Sequence, residues 1–272
     1  MRFACSNLAW APDQEAMALS LLRQSGVTGV EIAPTRIWPG LIGATQPAAR
    51  VEASRLADLG FDVPALQAVL FGEPNARLFD PSGLAAFRDR LIRIAALAAA
   101  LGAKVAVWGA PASRDPGALG FGQAIEQSLP VLRDLASVFA DQGVVLCIEP
   151  VPPVYGCRFI NTAEQAIELV RAVDHPGFGL HLDAAALHLA GETLPEVWPK
   201  VGARLRHFHL SEPGLGGFCD AQAPHASNIQ WLMDHDYRGY VSVEMLDSGA
   251  PLAESGPWRL LEPFRRDRLS SQ

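Results

Sequence analysis

Four short apolar runs in the second half of the chain each end on a residue that could bind a cation or move a proton. They read Val145-Leu-Cys-Ile-Glu149, Gly179-Leu-His-Leu-Asp183, Leu205-Arg-His-Phe-His209 and Val241-Ser-Val-Glu244. Side chains two apart on a strand share a face. Cys147 therefore lies with Glu149, His181 with Asp183, His207 with His209, and Ser242 with Glu244. The opposite face is Leu, Ile, Phe or Val in every run except at Arg206. Strands buried on both faces should be almost continuously apolar, so a polar face at four strand ends needs an explanation. Three carboxylates and an imidazole at one rim would repel one another and resist burial unless something paired them. A divalent cation held by Glu149, Asp183, His209 and Glu244 resolves the conflict. Three oxygen donors and one nitrogen suit Mn²⁺ ahead of Mg²⁺, Co²⁺ or Zn²⁺, with positions left for substrate or water.

Strands must bring these groups together, and the chain supplies eight candidates: 3–7, 29–33, 62–70, 104–108, 144–149, 179–183, 205–210 and 240–245. Helical signals lie between them. Residues 84–101 carry apolar groups at helical spacing and stop at Gly102. Thr162-Ala-Glu-Gln165 has the form of a capping box. Eight strand–helix repeats in 272 residues predict an α/β fold, a single (β/α)8 TIM barrel over residues 1–272. The competing open, doubly wound sheet would carry a glycine-rich turn after its first strand, where this chain has Leu8-Ala-Trp-Ala-Pro12. The glycine- and proline-bearing stretch 106–128 is expected to loop over the barrel mouth, and the polar tail after Glu254 to fray.

Composition narrows the function classes. The net charge of −7 does not fit a nucleic-acid partner, whose phosphates demand basic surface. The most apolar run, residues 94–103, is too short to span a bilayer. The amino terminus lacks an apolar signal core, and the four cysteines form no CxxC pair, so a cytoplasmic location is expected. Neither lysine, Lys104 nor Lys200, sits at the end of an expected strand, which argues against Schiff-base chemistry.

These motifs resemble the xylose isomerase-like barrel superfamily of sugar phosphate isomerases and epimerases. The matching residues are Gly29-Val-Glu31-Ile, Ile148-Glu149-Pro150, Gly179-Leu-His-Leu-Asp183, His207-Phe-His-Leu-Ser-Glu-Pro213 and Gly239-Tyr-Val-Ser-Val-Glu244. The resemblance implies one divalent metal on Glu149, Asp183, His209 and Glu244, with Glu149 and Glu244 also acting as acid and base. It implies a metal-dependent isomerase or epimerase acting through an enediolate on a sugar or sugar-like keto compound. A lyase or dehydratase on the same site, or a sugar-binding barrel without turnover, are the alternatives. Two positions differ from the usual ketose-epimerase pattern: Ala186 replaces a histidine and Tyr155 a glutamate. The nuclease branch would need extra histidines and a basic surface. A small-molecule partner is expected, and a homodimer is compatible with barrels of this type.

Further candidates for substrate contact follow from strand ends. Glu31 and Gln67 face the expected lumen and could bind hydroxyls. His181 lies one pleat below Asp183. Trp108 and Tyr155, with Trp10, Trp38 and Phe71, could stack on a sugar face. Arg158 could meet an anionic group, and His225 could cover the mouth.

Overall fold

The computed structural model describes residues 1–247 together with Gly249 and Leu261. The eight strands are β1 (Arg2–Ser6), β2 (Gly29–Glu31), β3 (Ala65–Leu66), β4 (Val105–Trp108), β5 (Val145–Ile148), β6 (Phe178–Asp183), β7 (Leu205–Leu210) and β8 (Tyr240–Val243). The strands pair in parallel throughout, in the order β2-β1-β8-β7-β6-β5-β4-β3. Isolated bridges Gly29↔Asp62 and Ile32↔Leu66 join β2 to β3 and close the cylinder. The fold is therefore the expected (β/α)8 barrel. No described helix is long and apolar enough to cross a membrane.

The β2–β3 seam is where expectation and structure differ most. A strand was expected over residues 62–70, but only Ala65–Leu66 forms one. Pro64 offers no N–H to a ladder, and Ala68 adopts a left-handed conformation (φ 51°) that turns the chain out of the sheet. The segment after Gln67 becomes part of the mouth. The stretch 106–128 is also more ordered than a long loop. It contains a 3₁₀ turn, Pro111–Arg114, and the start of the helix Phe121–Asp141. The tail after Glu254 lies outside the described residues except for Leu261.

Helix signals work as anticipated where backbone groups need partners. The helix Leu84–Leu101 ends at Gly102, whose φ of 84° is cheap only for glycine. Thr162 accepts a hydrogen bond from Gln165 N–H at 3.2 Å and caps the helix Ala163–Val173.

Register decides which side chains enter the lumen. Val107 pairs with Cys147 and Trp108 with Ile148. Ala65, Val105, Val107 and Cys147 form a separate buried cluster inside the barrel. Trp108 has the opposite parity. It is fully buried against the helix layer, with its ring 5.2 Å from that of Phe87 and its Nε1 donating to Ser113 Oγ at 2.9 Å. The expectation that Trp108 contacts substrate is therefore corrected: it is a packing residue. Trp108→Ala should cost about 3–5 kcal/mol of stability, read as a lower midpoint in denaturant. A midpoint within error of wild type would contradict this placement.

Candidate metal and proton-transfer site

The carboxyl ends of β5 to β8 place Glu149, Asp183, His209 and Glu244 so that one donor atom from each lies within 4.8 Å of the others. All four line a cavity of about 690 Å³ that opens at this end of the barrel, where barrel folds put their chemistry. Asp183 and His209 are buried, whereas Glu149 and Glu244 reach the open space, with side chains 17% and 15% exposed.

Each group is fixed differently. Asp183 caps the helix Ala184–Ala190: its Oδ1 accepts from Ala186 N–H at 2.7 Å and its Oδ2 from Ser211 Oγ–H at 2.5 Å. Glu244 Oε1 accepts from Gln67 Nε2 at 2.6 Å, and its Oε2 lies 3.2 Å from His209 Nδ1. Among the described residues no donor hydrogen-bonds to the Glu149 carboxylate. Its backbone is held by Arg114, whose fully buried guanidinium donates to the carbonyls of Trp108 (3.1 Å) and Glu149 (2.7 Å) and so ties the ends of β4 and β5 together. Space for the carboxylate comes from Gly109, where an added Cβ would lie 1.9 Å from Glu149 Oε2.

Glu31 organises the layer below. It is fully buried, and its carboxylate accepts from His207 Nε2 at 2.9 Å and from His209 Nε2 at 3.0 Å. Because that carboxylate only accepts, His209 Nε2 must carry hydrogen, which leaves Nδ1 facing the cluster. His209 Nδ1 is buried without a hydrogen bond. An imidazole oriented by a carboxylate on one nitrogen, with the other aimed at three carboxylates, has the chemistry of a cation ligand. The residues present thus fit a divalent ion.

Electrostatics point the same way. Burial, then Glu244 and Asp183, pushes Glu149 up to about 8. Burial and Glu244 push Asp183 up to about 6. Burial would lower His209, but Glu31 and Glu244 outweigh it and hold the ring well above its usual value. Burial would raise Glu31, yet His209 and His207 hold it well below the carboxylate range. Without a cation, protons must offset the crowded charge.

Several expected substrate contacts are placed elsewhere. Glu31 has both oxygens committed to histidines and does not line the cavity, so it is a positioning group. His181 lies fully buried beneath the cluster, its ring 4.1 Å from that of His209 and its Nε2 4.0 Å from Glu149 Oε1. Burial, then His209 and His207, keeps it well below its ordinary value and hence neutral. Arg158 binds Asp115 (3.0 Å) and the Gly117 carbonyl (2.9 Å) away from the cavity. His225 is buried behind the wall, hydrogen-bonded to Glu212, which does line the cavity. Gln67 and Tyr155 line it. Among the other aromatics, Phe71 lines the cavity, while Trp10 is buried in the core. Gly109, Arg114, Ser211 and Glu212 had no assigned role in the sequence, although Ser211 and Glu212 lie within the matched motif His207-Phe-His-Leu-Ser-Glu-Pro213.

Comparison with known proteins gives the lineage. The xylose isomerase-like TIM barrel family matches residues 19–260. The chain belongs to that family. A D-psicose 3-epimerase of Ruminiclostridium cellulolyticum is 28% identical over 125 residues, 44% of this chain and 40% of that protein. The chain thus matches less than half the length of that curated relative. A crystal structure of D-psicose 3-epimerase in the presence of D-fructose superposes with a TM-score of 0.78 at 17% identity, covering 98% of each chain. A 3-keto-D-glucoside 4-epimerase from E. coli gives 0.74 at 18% identity, covering 98% of this chain and 99% of that one. At such identities the two structures establish a shared fold.

The Glu31–His209 arrangement yields a direct expectation. Glu31→Gln should weaken divalent-cation binding by roughly 10–100-fold, measured by calorimetric titration with Mn²⁺. Unchanged affinity would mean that Glu31 does not orient the ligand.

Proposed function

We propose that this chain is a metal-dependent sugar epimerase or isomerase that transfers a proton beside a carbonyl. In this reading Glu149, Asp183, His209 and Glu244 hold one divalent cation, Mn²⁺ by preference, and Glu149 and Glu244 form the acid–base pair. The observation that carries it is the convergence of three carboxylates and His209 Nδ1 at the floor of the cavity. The curated relatives, a D-psicose 3-epimerase and an L-ribulose 3-epimerase, match over part of their length and favour epimerisation.

The cation, when bound, supplies positive charge beside the oxygen that becomes anionic as the neighbouring carbon loses its proton. The protein's own groups do the rest. Glu149 and Glu244 are the two cluster carboxylates that reach the open space, so they can meet a substrate C–H bond. One takes the proton and the other returns one. Return to the same carbon from the other side gives the epimer, and return to the adjacent carbon gives the isomer. Gln67 holds Glu244 through one oxygen and limits its rotation. Asp183, fixed by Ser211 and the Ala186 amide, is not free to compete for the proton. The cysteines Cys5, Cys147, Cys157 and Cys219 are free thiols, which supports a reducing, cytoplasmic setting.

The test is solvent exchange. Incubated with Mn²⁺ and ketoses or keto-glycosides in D2O, the protein should place deuterium on the carbon beside the carbonyl and form an epimer. Glu149→Gln and Glu244→Gln should each lower that rate by roughly 10²–10⁴-fold. Near-wild-type exchange in both variants would overturn the two-carboxylate reading. A dehydrated product without epimer would assign the site to a lyase.

A further inference from the structure

The cavity is most polar at its floor. Above the cluster the wall is built mainly by residues 68–74 after β3, 109–113 after β4, and 150–152 with Tyr155 after β5. Val69, Val151, Pro152, Ala186 and Leu215 contribute apolar surface there, and two aromatic rings stand at the wall in contact with solvent: Phe71, 68% exposed, and Tyr155, 44% exposed.

Among the described residues most polar groups on that upper wall are already engaged, Glu73 Oε2, Arg77 Nη2 and the hydrogen of the Tyr155 hydroxyl being left over. Glu73 pairs with Arg90 at 2.8 Å. Glu212 accepts from His225, from Gln222 N–H at 2.8 Å and from Ala223 N–H at 3.3 Å. Ser113 accepts from Trp108 and donates to the Ala110 carbonyl. The Tyr155 hydroxyl accepts from Gly214 N–H at 2.8 Å, which leaves its ring as the main accessible part. Arg77 is the single Lys or Arg on the wall among the described residues, and it donates to the carbonyls of Pro74 and Ala112. Outside the cluster that would hold the cation, two carboxylates, Glu73 and Glu212, stand against it. An anionic substrate meets a wall of its own sign.

Deeper down, Gln67 offers one unused group. It is buried, its Nε2 is spent on Glu244, and its Oε1 has no partner. That acceptor can take one hydroxyl proton beside the cluster. The floor therefore satisfies a carbonyl and a few adjacent hydroxyls. A ligand extending further would set most additional hydroxyls against apolar wall, at a desolvation cost. The space is also generous: cavities of about 300–1,000 Å³ take drug-sized ligands, and this one, about 690 Å³, exceeds the needs of one monosaccharide.

The geometry points to a neutral keto-sugar carrying an apolar, preferably aromatic, substituent: a keto-glycoside rather than a free or phosphorylated ketose. The sugar carbonyl and its neighbouring hydroxyls sit at the floor, one hydroxyl on Gln67 Oε1, and the aglycone lies against Phe71 and Tyr155, where a ring can stack on a ring. This inference deepens the proposed function and rests on it for the orientation of the sugar.

The experiment compares phenyl and methyl 3-keto-β-D-glucopyranoside, D-fructose and D-fructose 6-phosphate on the Mn²⁺-loaded protein. It reads Kd by calorimetry, and KM and kcat by deuterium exchange. The phenyl glycoside should bind at least 10-fold tighter than the methyl glycoside, with the difference in KM rather than kcat, and the phosphate should bind weakest. Phe71→Ala and Tyr155→Ala, both at exposed positions, should bring the phenyl-to-methyl ratio towards one. Equal affinities for the two glycosides, a ratio unmoved in both variants, or tightest binding of the free or phosphorylated ketose would overturn the inference. Preferential binding of the phenyl glycoside without deuterium exchange from any compound would support the inference while sinking the catalytic reading. Efficient exchange with D-fructose and no aglycone preference would do the reverse.

Discussion

Three carboxylates and an imidazole share a space in which none of them can be fully hydrated, and the architecture of the barrel mouth follows from managing that crowding. Burial penalises each charge, and proximity penalises every pair of like charges. Among the described residues the chain pairs none of these carboxylates with a lysine or arginine, and the charge of Arg114 offsets Glu149 only in part. Arg114, the closest candidate, spends two of its nitrogens on backbone carbonyls. It instead keeps the donors apart with specific braces and leaves their inner faces turned towards one point. The arrangement is costly when empty and relieved by a cation, as expected of a site built for binding rather than for stability.

Those braces come from every side of the barrel. Glu31 reaches from β2 to hold two histidines on β7. Gln67 reaches from β3 to Glu244 after β8. Asp183 serves both as a cluster member and as the cap of the helix that follows it. Gly109 contributes by having no side chain, because the Glu149 carboxylate occupies the room a Cβ would need. A site of this kind tolerates change in the outer cavity far better than at its floor. The same scaffold can then accept different ligands by altering only the segments after β3 and β5.

Much of this was legible in the sequence, for a definite reason. Period-two alternation put the polar residues of β5 to β8 on one face, and strand ends of a parallel barrel share one rim. Groups on successive strands could therefore be placed together without knowing any loop. The same parity, applied to β4, turns Trp108 outward once Cys147 points in, a step that proximity to a strand end alone conceals. Glu31 was assigned to the lumen but given the wrong partners. Its histidines lie some 176 positions away and meet it only because the cylinder closes, which pairwise strand patterns do not report. Arg114 and Gly109 left no trace because their roles are geometric, bridging two carbonyls and vacating a volume. The short β3 escaped notice because the apolar run continues past the point where Ala68 leaves the sheet.

The central claim is that Glu149, Asp183, His209 and Glu244 share one divalent ion. Calorimetric titration of the metal-free protein with Mn²⁺, run at pH 6, 7 and 8 in buffers of different ionisation enthalpy, tests it most directly. Glu149 is pushed up to about 8 and Asp183 to about 6, so at pH 7 the empty cluster holds protons that an incoming ion must displace. The expected result is one ion per chain, net proton release at pH 7, tighter binding at pH 8 than at pH 6, and loss of the site in Asp183→Ala. No saturable uptake, or one-to-one uptake that survives Asp183→Ala with unchanged affinity, would contradict it.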